Sequence, residues 1–338
     1  MEQIHYKDYI YSLSDEGHLS INIKSGPNLR TVLYKYYSDA SHNIEALLSH
    51  YLYASHPIQF NDIMDCSMFM IDCRNLIKDN YNQFYEEYGN TLFRKIGYEK
   101  DKENNFNSFR FHIYMWYYSQ FGIVSLTVNP LNPLMWAHYT HETGFMVQFN
   151  YKLMSSISTY NRDIVNTNLR VIPIQYCDKL EPINFFSGKF NSPTIPMTCI
   201  STNKDNKWSY EKEWRIIVQK ENMGHTTGIS DPCEINIEGF QDRYLYYSPN
   251  AIDAVYLGAY FFGCTHCKLE GNNLKVKREY IPFFNYLFEN HNGHLYISIA
   301  DYSEQNNVTR RNRKISLIRH RRNLFEIVDE EKQEKTIF

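Results

Sequence analysis

Two glutamates separated by a single residue could stabilise charge or move protons. Glu211 and Glu213 lie in the aromatic-rich segment Trp208–Arg215, which runs directly into the apolar stretch 216–218. If both residues are extended, their side chains share one face at the entrance of a strand. Like charges on one face repel unless they bind a cation, a donor-rich ligand or Arg215. The alternative is an exposed strand edge carrying salt bridges, which the flanking aromatic residues disfavour.

A second motif, NPLMWAHY at residues 132–139, combines a helix start with polar-tipped rings. Asn132 is expected to cap a short helix and Pro133 suits its first turn. Trp136 and Tyr139 are three residues apart and share a helical face, whereas His138 points elsewhere. Core packing is the alternative for Trp136. Pockets combine aromatic walls with few polar groups, so His138 and Tyr139 are candidates for a site.

A third motif joins a short strand to a polar turn. Tyr34 and Tyr36 are expected to point to one side of the strand and Lys35 to the other. Asn61 and Asp62 follow an extended stretch, a position where both residue types favour a turn. The functional interpretation is that turn amides and carboxylates grip a polar ligand.

The elements that must position these motifs alternate irregularly along the chain. We predict strands at 33–36, 122–128, 145–149, 171–176, 214–218, 233–237, 244–247, 254–257 and 294–299. Helical spacing occurs at 41–51, 67–98, 106–120, 134–139 and 279–290, with Ser41 as the cap of the first helix. Strands without regularly alternating helices predict an α+β fold, with a mixed, mostly antiparallel sheet core flanked by helices. The glycine signatures of standard nucleotide-binding folds are missing from the sequence.

The composition and charge of the chain exclude several classes of protein. The chain has 338 residues, 43% of them hydrophobic and 16% aromatic, with a net charge of −3. Such a chain buries a sizeable core, and its charge gives no general attraction to nucleic acid or membrane. Its start resembles no signal peptide, no apolar run is long enough to span a membrane, and seven irregularly spaced cysteines suit reduced thiols. We therefore predict a cytoplasmic protein.

The predicted organisation has three parts. Residues 1–30 form an N-terminal leader, 31–260 the main domain with the motifs, and 261–338 a C-terminal extension ending in a basic tail. The cluster of arginines and lysines at 310–322 is interpreted as a solvated face rather than a nucleic-acid contact. Cys264 and Cys267 form half of a zinc site, which Cys233 and His291 or His294 would have to complete. Reduced cysteines without a metal are the favoured interpretation.

Taken together, four separated motifs resemble one bacterial family. They are LYKY at 33–36, FND at 60–62, LMWAHY at 134–139 and WSYEKEWR at 208–215. The family is domain of unknown function twenty-nine seventy-one, and the resemblance extends over roughly residues 31–260. The chain departs from the family pattern at Ile63, where the family favours proline. The family name implies no activity.

The same order is similar, more remotely, to ADP-ribosyltransferases. Those folds open with a strand carrying a polar residue at the NAD site, followed by a helix. A middle strand then runs into a helix with a stacking tyrosine, and a late strand is headed by a catalytic glutamate. The chain departs from them because its first strand has no histidine or arginine and because it offers two glutamates. The resemblance assigns these positions to Lys35 or Tyr36, to Ser125 and Tyr139, and to Glu211 or Glu213.

The resemblance implies an enzyme that consumes NAD as an ADP-ribosyltransferase or glycohydrolase, with no metal required. Its partners would be a nucleotide and a protein or nucleic-acid acceptor. A fixed carboxylate would stabilise the oxocarbenium-like charge on the ribose, an aromatic ring would stack on nicotinamide, and Arg215 or Lys35 would hold the pyrophosphate. The expected catalytic residues are Glu213, Glu211 and His138. The expected NAD-binding residues are Lys35, Tyr36, Asn61, Asp62, Ser125, Trp136, Tyr139 and Arg215.

Two other classes of function remain open. A metal-dependent nuclease or phosphoesterase could use hard ligands for Mg²⁺ or Mn²⁺, although they lack tight spacing. Those ligands would be His138, Asp62, Asp65, Glu211 and Glu213. A binding module without catalysis would use the aromatic motifs as a groove for a ligand or partner. The resemblance also implies an effector or toxin role, such as bacterial anti-phage defence.

Overall fold

The computed structural model describes most of the chain. The described residues are 2–6, 8–14, 19–23, 32–88, 95–150, 152–159, 168–188, 194–219, 223, 225–227, 236–238, 243–263, 265–302 and 307–330.

Helices and strands are numbered here in chain order over this described part. The α-helices are α1 (Ser41–Leu48), α2 (Lys78–Tyr88), α3 (Tyr98–Glu103), α4 (Asn107–Tyr118), α5 (Pro133–Thr140), α6 (Lys152–Ser156), α7 (Thr194–Thr202) and α8 (Ile281–His291). The strands are β1 (Glu2–Tyr6), β2 (Tyr9–Leu13), β3 (Leu19–Ile23), β4 (Leu33–Tyr37), β5 (Tyr51–Tyr53), β6 (Ile71–Asp72), β7 (Phe121–Thr127), β8 (Phe145–Phe149), β9 (Ser158–Thr159), β10 (Asn168–Pro173), β11 (Gln175–Cys177), β12 (Ile183–Asn184), β13 (Asn203–Asp205), β14 (Glu213–Gln219), β15 (His225–Thr227), β16 (Asn236–Glu238), β17 (Tyr244–Tyr246), β18 (Ile252–Leu257), β19 (Cys267–Glu270), β20 (Asn273–Val276), β21 (Leu295–Tyr302), β22 (Val308–Arg321) and β23 (Leu324–Asp329).

A large open sheet forms the centre of the fold. Among the described residues it has eleven strands, in the order β10-β14-β7-β4-β8-β18-β21-β22-β23-β20-β19. The pairings are antiparallel except between β18 and β21, which run parallel. The prediction of a mixed, mostly antiparallel sheet flanked by helices is confirmed.

Alternation along the central strands separates two cores. In β7, Val124 and Leu126 pack into one core while Ile123 packs into the other. In β14, Ile216 faces the first core and Ile217 the second. Successive strand residues point to opposite faces, so the other odd-numbered residues of β14 lie on the same face as Ile217. The first core is covered by α1 and α8, and the second by α2, α4 and α7.

Strands at both ends of the chain join this architecture. The residues predicted as a leader contain the antiparallel meander β1-β2-β3. The Tyr9 hydroxyl donates to the Pro173 carbonyl, and the Tyr11 hydroxyl lies 3.2 Å from Thr202 Oγ1. At the other end, β21, β22 and β23 extend the central sheet, so the predicted boundary near residue 260 falls within one continuous sheet.

The basic cluster lies within a strand of the central sheet. It forms most of β22, a 14-residue strand paired with β21 and β23. Acidic side chains from other elements pair with several of its cations. These pairs are Arg310 with Glu142, Arg313 with Asp301 and Asp329, Lys314 with Glu330, and Arg319 with Glu289. The cluster is therefore largely neutralised within the fold.

Several predicted elements differ in their bounds. Helix α1 begins after Ala40 without a side-chain cap, so Ser41 is not the cap that we predicted. The helical pattern at 67–98 contains α2 and the start of α3, but also the short 3₁₀ turn Met68–Met70 and strand β6. The strand predicted at 171–176 is split between β10 and β11. The first residues of the strand predicted at 233–237 lie outside the described part.

Cys264 of the Cys-x-x-Cys pair also lies outside the described part, and Cys267 is buried with its thiol directed at the Phe262 carbonyl. No described helix combines the length and apolar character needed to span a membrane.

Candidate functional site

The pairing between β4 and β7 in the central sheet is short. Their described pairing consists of one residue pair, Tyr34 with Thr127. Next to this pair, the Lys35 side chain donates to the Ser125 carbonyl of β7 at 3.2 Å. We call this junction of β4 and β7 the seam.

A cavity of about 440 Å³ lies at the seam. Its walls come from β4, β7, α5, the loop around residues 55–65 and the segment 204–213. The lining residues are Tyr34, Lys35, Tyr36, Ser38, Ser55, Gln59, Phe60, Asn61, Asp65, Ser125, Leu126, Thr127, Met135, His138, Tyr139, His141, Lys204, Glu211 and Glu213. The three predicted motifs, far apart in sequence, therefore meet around one cavity.

Lys204 lies between the two glutamates. Its ammonium group is 2.6 Å from Glu211 Oε2, 3.0 Å from Glu213 Oε2 and 3.5 Å from Asp65 Oδ2. The parallel pairing of β13 with β11 positions this lysine, and its ammonium also lies 5.0 Å from the centre of the Trp208 ring. The repulsion expected between the two carboxylates is thus relieved by a buried cation.

Arg215 holds Glu213 from behind. Its Nε donates to Glu213 Oε1 at 2.8 Å, and Nη2 donates to Glu213 Oε2 at 3.2 Å and to Asp65. Nη1 donates to the Ser201 carbonyl at 2.9 Å. The guanidinium is fully buried, and charge-assisted bidentate contacts of this kind fix a carboxylate in place.

The two glutamates converge by a route different from the predicted extended one. Glu211 ends the 3₁₀ helix Asn206–Glu211, and Glu213 begins β14. Lys212 between them adopts the left-handed conformation with φ of 45°, which is uncommon for a residue with a side chain. This turn lets both carboxylates reach Lys204.

The pKa values of the two carboxyl groups are shifted in opposite directions. Although burial acts against it, the cations Arg215 and Lys204 lower the pKa of Glu213 to about 2, with hydrogen bonds from Arg215 and Ser125 assisting. For Glu211, burial outweighs Lys204 and raises the pKa, with the neighbouring Glu213 charge assisting. Glu213 therefore stays ionised, whereas Glu211 is the carboxyl group better suited to exchange a proton.

Helix α5 brings Tyr139 and His138 to the cavity. The predicted cap is confirmed, because Asn132 Oδ1 accepts from the Leu134 amide at 2.8 Å. The Asn132 side-chain amide also donates to the Tyr210 carbonyl at 3.0 Å, which ties the helix to the glutamate segment. The Tyr139 hydroxyl donates to Glu211, and His138 is exposed at the cavity wall.

Strand β4 supplies a cation and two tyrosines. Tyr34 and Tyr36 belong to one aromatic cluster, as the alternation predicts, and the Tyr36 hydroxyl donates to the Asn129 carbonyl at 3.0 Å. Burial lowers the pKa of Lys35 to about 8, with the charge of Glu213 opposing the change. Among the described carboxylates, none lies within ion-pair distance of Lys35.

Three of the predicted site residues do not line the cavity. Trp136 is fully buried, donates to the Pro130 carbonyl at 3.0 Å and packs edge-on against Tyr36. Asp62 forms a turn by accepting from the Met64 amide at 2.9 Å. Arg215 lies behind Glu213, where its donors are occupied, so Arg215 is not available to hold a pyrophosphate. The other predicted residues line the cavity as described above.

Sequence reasoning missed Lys204 and did not predict that Asp65 pairs with Lys204 and Arg215. The paired glutamates did indicate that a cation was needed. Lysines at 204, 207 and 212 are all close to them in sequence, however, and only the fold distinguishes the buried Lys204 from the other two, which are exposed.

In the comparisons with known proteins, one family matches a stretch of the chain that contains part of this site. A family described as "Protein of unknown function (DUF2971)" matches residues 135–216. The match begins in α5 and ends in β14, and thus includes Tyr139, Glu211 and Glu213. It is narrower than the resemblance predicted over 31–260. Neither a curated protein nor a solved structure matches the chain.

Proposed function

We propose that this protein cleaves the nicotinamide–ribose bond of NAD, as an ADP-ribosyltransferase-like enzyme or an NAD glycohydrolase. The main support is the Glu213 carboxylate, which faces the cavity and is kept ionised by Arg215 and Lys204. Cleavage of this bond develops positive charge on the ribose, as glycoside cleavage does. A carboxylate held in place before the reaction stabilises that charge without reorganisation.

The proposed reaction breaks one bond and forms one. The C–N bond to nicotinamide breaks, and nicotinamide leaves as a neutral base with the bonding electron pair. Water or an acceptor nucleophile then bonds to the same ribose carbon. Its proton passes to Glu211, whose raised pKa suits a general base. Glu213 keeps its negative charge throughout and does not take up the proton.

The remaining walls suit the rest of a dinucleotide. Lys35 is a cation without a carboxylate partner among the described residues, and an ammonium group binds phosphate as a point charge. Tyr34, Phe60 and Tyr139 supply ring faces or edges that could lie against nicotinamide or adenine. With Arg215 occupied, the pyrophosphate contact falls to Lys35.

The order of the elements supports the same proposal. The resemblance to ADP-ribosyltransferases calls for a first strand with a polar residue, a middle strand leading to a tyrosine-bearing helix, and a late strand headed by a glutamate. Here β4 carries Lys35, β7 leads to α5 with Tyr139, and Glu213 begins β14. These strands are neighbours in the order β14-β7-β4.

The carboxylates are poorly suited to a metal-dependent nuclease. Asp65, Glu211 and Glu213 converge, but on Lys204 and Arg215, which already neutralise most of their charge. A Mg²⁺ ion would have to compete with both cations for the same oxygens. We therefore favour NAD cleavage over metal-assisted hydrolysis.

The test is nicotinamide release from NAD, measured by liquid chromatography with and without a cell lysate as a source of acceptors. We expect release by the native protein and a decrease of roughly 10²–10³-fold in Glu213→Gln, the usual cost of losing one such electrostatic contact. Glu270→Gln is the matched control, because Glu270 is exposed and remote in the fold. If NAD stays intact under both conditions, the proposal is wrong.

A further inference from the structure

The ammonium group of Lys204 connects two carboxylates that face the same cavity but have different surroundings. Glu213 has its oxygens engaged by Arg215 and Lys204. Glu211 receives donors from Lys204 and Tyr139. A carboxylate offers about four acceptor positions, so Glu211 keeps capacity for a ligand or a proton while Glu213 is nearly saturated.

The contacts of Lys204 with Glu211 and Glu213 are buried, which strengthens their effect on the two carboxylates. The side chains of Lys204, Glu211 and Glu213 are 5%, 3% and 4% exposed, so solvent screens their charges weakly. With Asp65 and Arg215 the cluster holds three carboxylates and two cations, which leaves one formal negative charge. Removal of the lysine would leave three carboxylates against a single guanidinium.

We propose that Lys204 is a positioning residue whose ammonium group, shared by Glu211 and Glu213, holds both carboxylates toward the cavity and gives them separate roles. Glu213 becomes the fixed charge and Glu211 the group that moves a proton. This assignment deepens the proposed function and rests on it for the roles, while the sharing of the ammonium stands on the geometry alone.

The acidity of the two glutamates follows from this arrangement. Lys204 lowers the pKa of Glu213 together with Arg215, and it moderates the rise in the pKa of Glu211 that burial causes. Other titratable or charged groups also face the pair. They are Asp65, Arg215 and Lys35 around Glu213, Tyr139 and Tyr210 around Glu211, and Tyr176 near both.

The test compares Lys204→Met and Lys204→Arg with the native protein in the pH dependence of kcat/KM for nicotinamide release. Without the lysine charge, protonated Glu211 persists to higher pH, so the acid limb should move upward by about one pH unit or more. Lys204→Arg keeps the charge and should keep the limb close to its native position. Lys207→Met is the control, because Lys207 is exposed in the 3₁₀ helix Asn206–Glu211 that follows Lys204.

A second readout does not need activity. Titration of ¹³C-labelled glutamate carboxyl groups by NMR should show Glu213 titrating at higher pH in Lys204→Met/Glu211→Gln than in Glu211→Gln alone. The double variant removes one charge of each sign, so it serves if Lys204→Met does not fold.

The outcomes separate the two proposals. A native protein that leaves NAD intact contradicts the proposed function, yet the carboxyl titration still tests Lys204. An unmoved acid limb in folded Lys204→Met, or identical Glu213 titrations in the two glutamine variants, overturns the assignment of Lys204.

Discussion

Arg215 and Glu213 point to the same face of β14, and the Arg215 Nε donates to Glu213 Oε1 at 2.8 Å. Side chains two residues apart on a strand share a face, so the strand itself supplies the glutamate with its cation. Asp65 accepts from Nη2 of the same guanidinium and anchors the loop that carries Asn61. One buried arginine thus fixes both the carboxylate and one wall of the cavity.

Glu213 should make the stability of the fold sensitive to acid. Its pKa is about 2 in the folded state against an ordinary value of 4.5, so its contribution is complete above about pH 4.5. The contribution should be lost as the pH falls from there toward 2. Free energies of unfolding from denaturant titrations should decline more steeply in this window for the native protein than for Glu213→Gln. Equal slopes would contradict the ion pairing.

In the proposed cleavage of NAD, Glu211→Gln should slow the reaction for a different reason than Glu213→Gln. Loss of a general base typically costs roughly 10²–10⁴-fold in rate. An anionic nucleophile such as azide has no proton to give up, so it should restore nicotinamide release in Glu211→Gln. The same azide should not rescue Glu213→Gln, in which the charge opposite the ribose is missing. Rescue of both variants, or of neither, would show that the two roles are wrongly divided.

Lys35 should make ligand affinity depend on pH. Because its pKa is about 8, it loses charge as the pH rises through that value, and affinity for the proposed dinucleotide ligand should fall there. Lys35→Met should weaken binding roughly 10- to 100-fold at neutral pH, the loss expected for a hydrogen bond to a charged group. Lys35→Arg should remove the pH dependence, because arginine stays charged. Calorimetric titrations at pH 7 and pH 9 measure both effects, with the exposed Lys275→Met as control.

The hydroxyl and the ring of Tyr139 should be separable. The hydroxyl donates to Glu211 and lowers its pKa, so Tyr139→Phe should move the acid limb of the rate upward while leaving KM nearly unchanged. Tyr139→Ala also removes the ring and should raise KM as well, if the ring lies against the ligand. An acid limb that stays in place in Tyr139→Phe would argue against Glu211 as the base.

Local chemistry made parts of the site predictable. Asn132 and Pro133 define the start of α5 through capping and a preset backbone angle, and both act within one turn. The β-branched residues of β7 likewise gave its strand directly. The grouping of the motifs required only that the pocket gather scattered polar and aromatic residues, and the structure does bring Lys35, Tyr139 and Glu213 to one cavity.

Features that depend on pairing between distant segments could not be predicted from the sequence. Lys204 is buried because β13 pairs with β11, and no local pattern distinguishes it from exposed neighbours such as Lys207. Likewise, the sequence around Arg313 shows only a run of basic residues. Its ion pairs with Asp301 and Asp329 exist because the fold places neighbouring strands beside it. The spacing of residues within one segment does not predict contacts between segments that are distant in the chain.

The short pairing of β4 with β7 has a mechanical consequence. One described residue pair joins these two strands, so a small molecule bound in the cavity can add contacts between them. A bound molecule that contacts Lys35 on β4 and Ser125 on β7 would bridge the two strands. The melting temperature of the whole fold should then rise on binding, because a bridge between β4 and β7 also links the β10 side of the sheet to the β18 side.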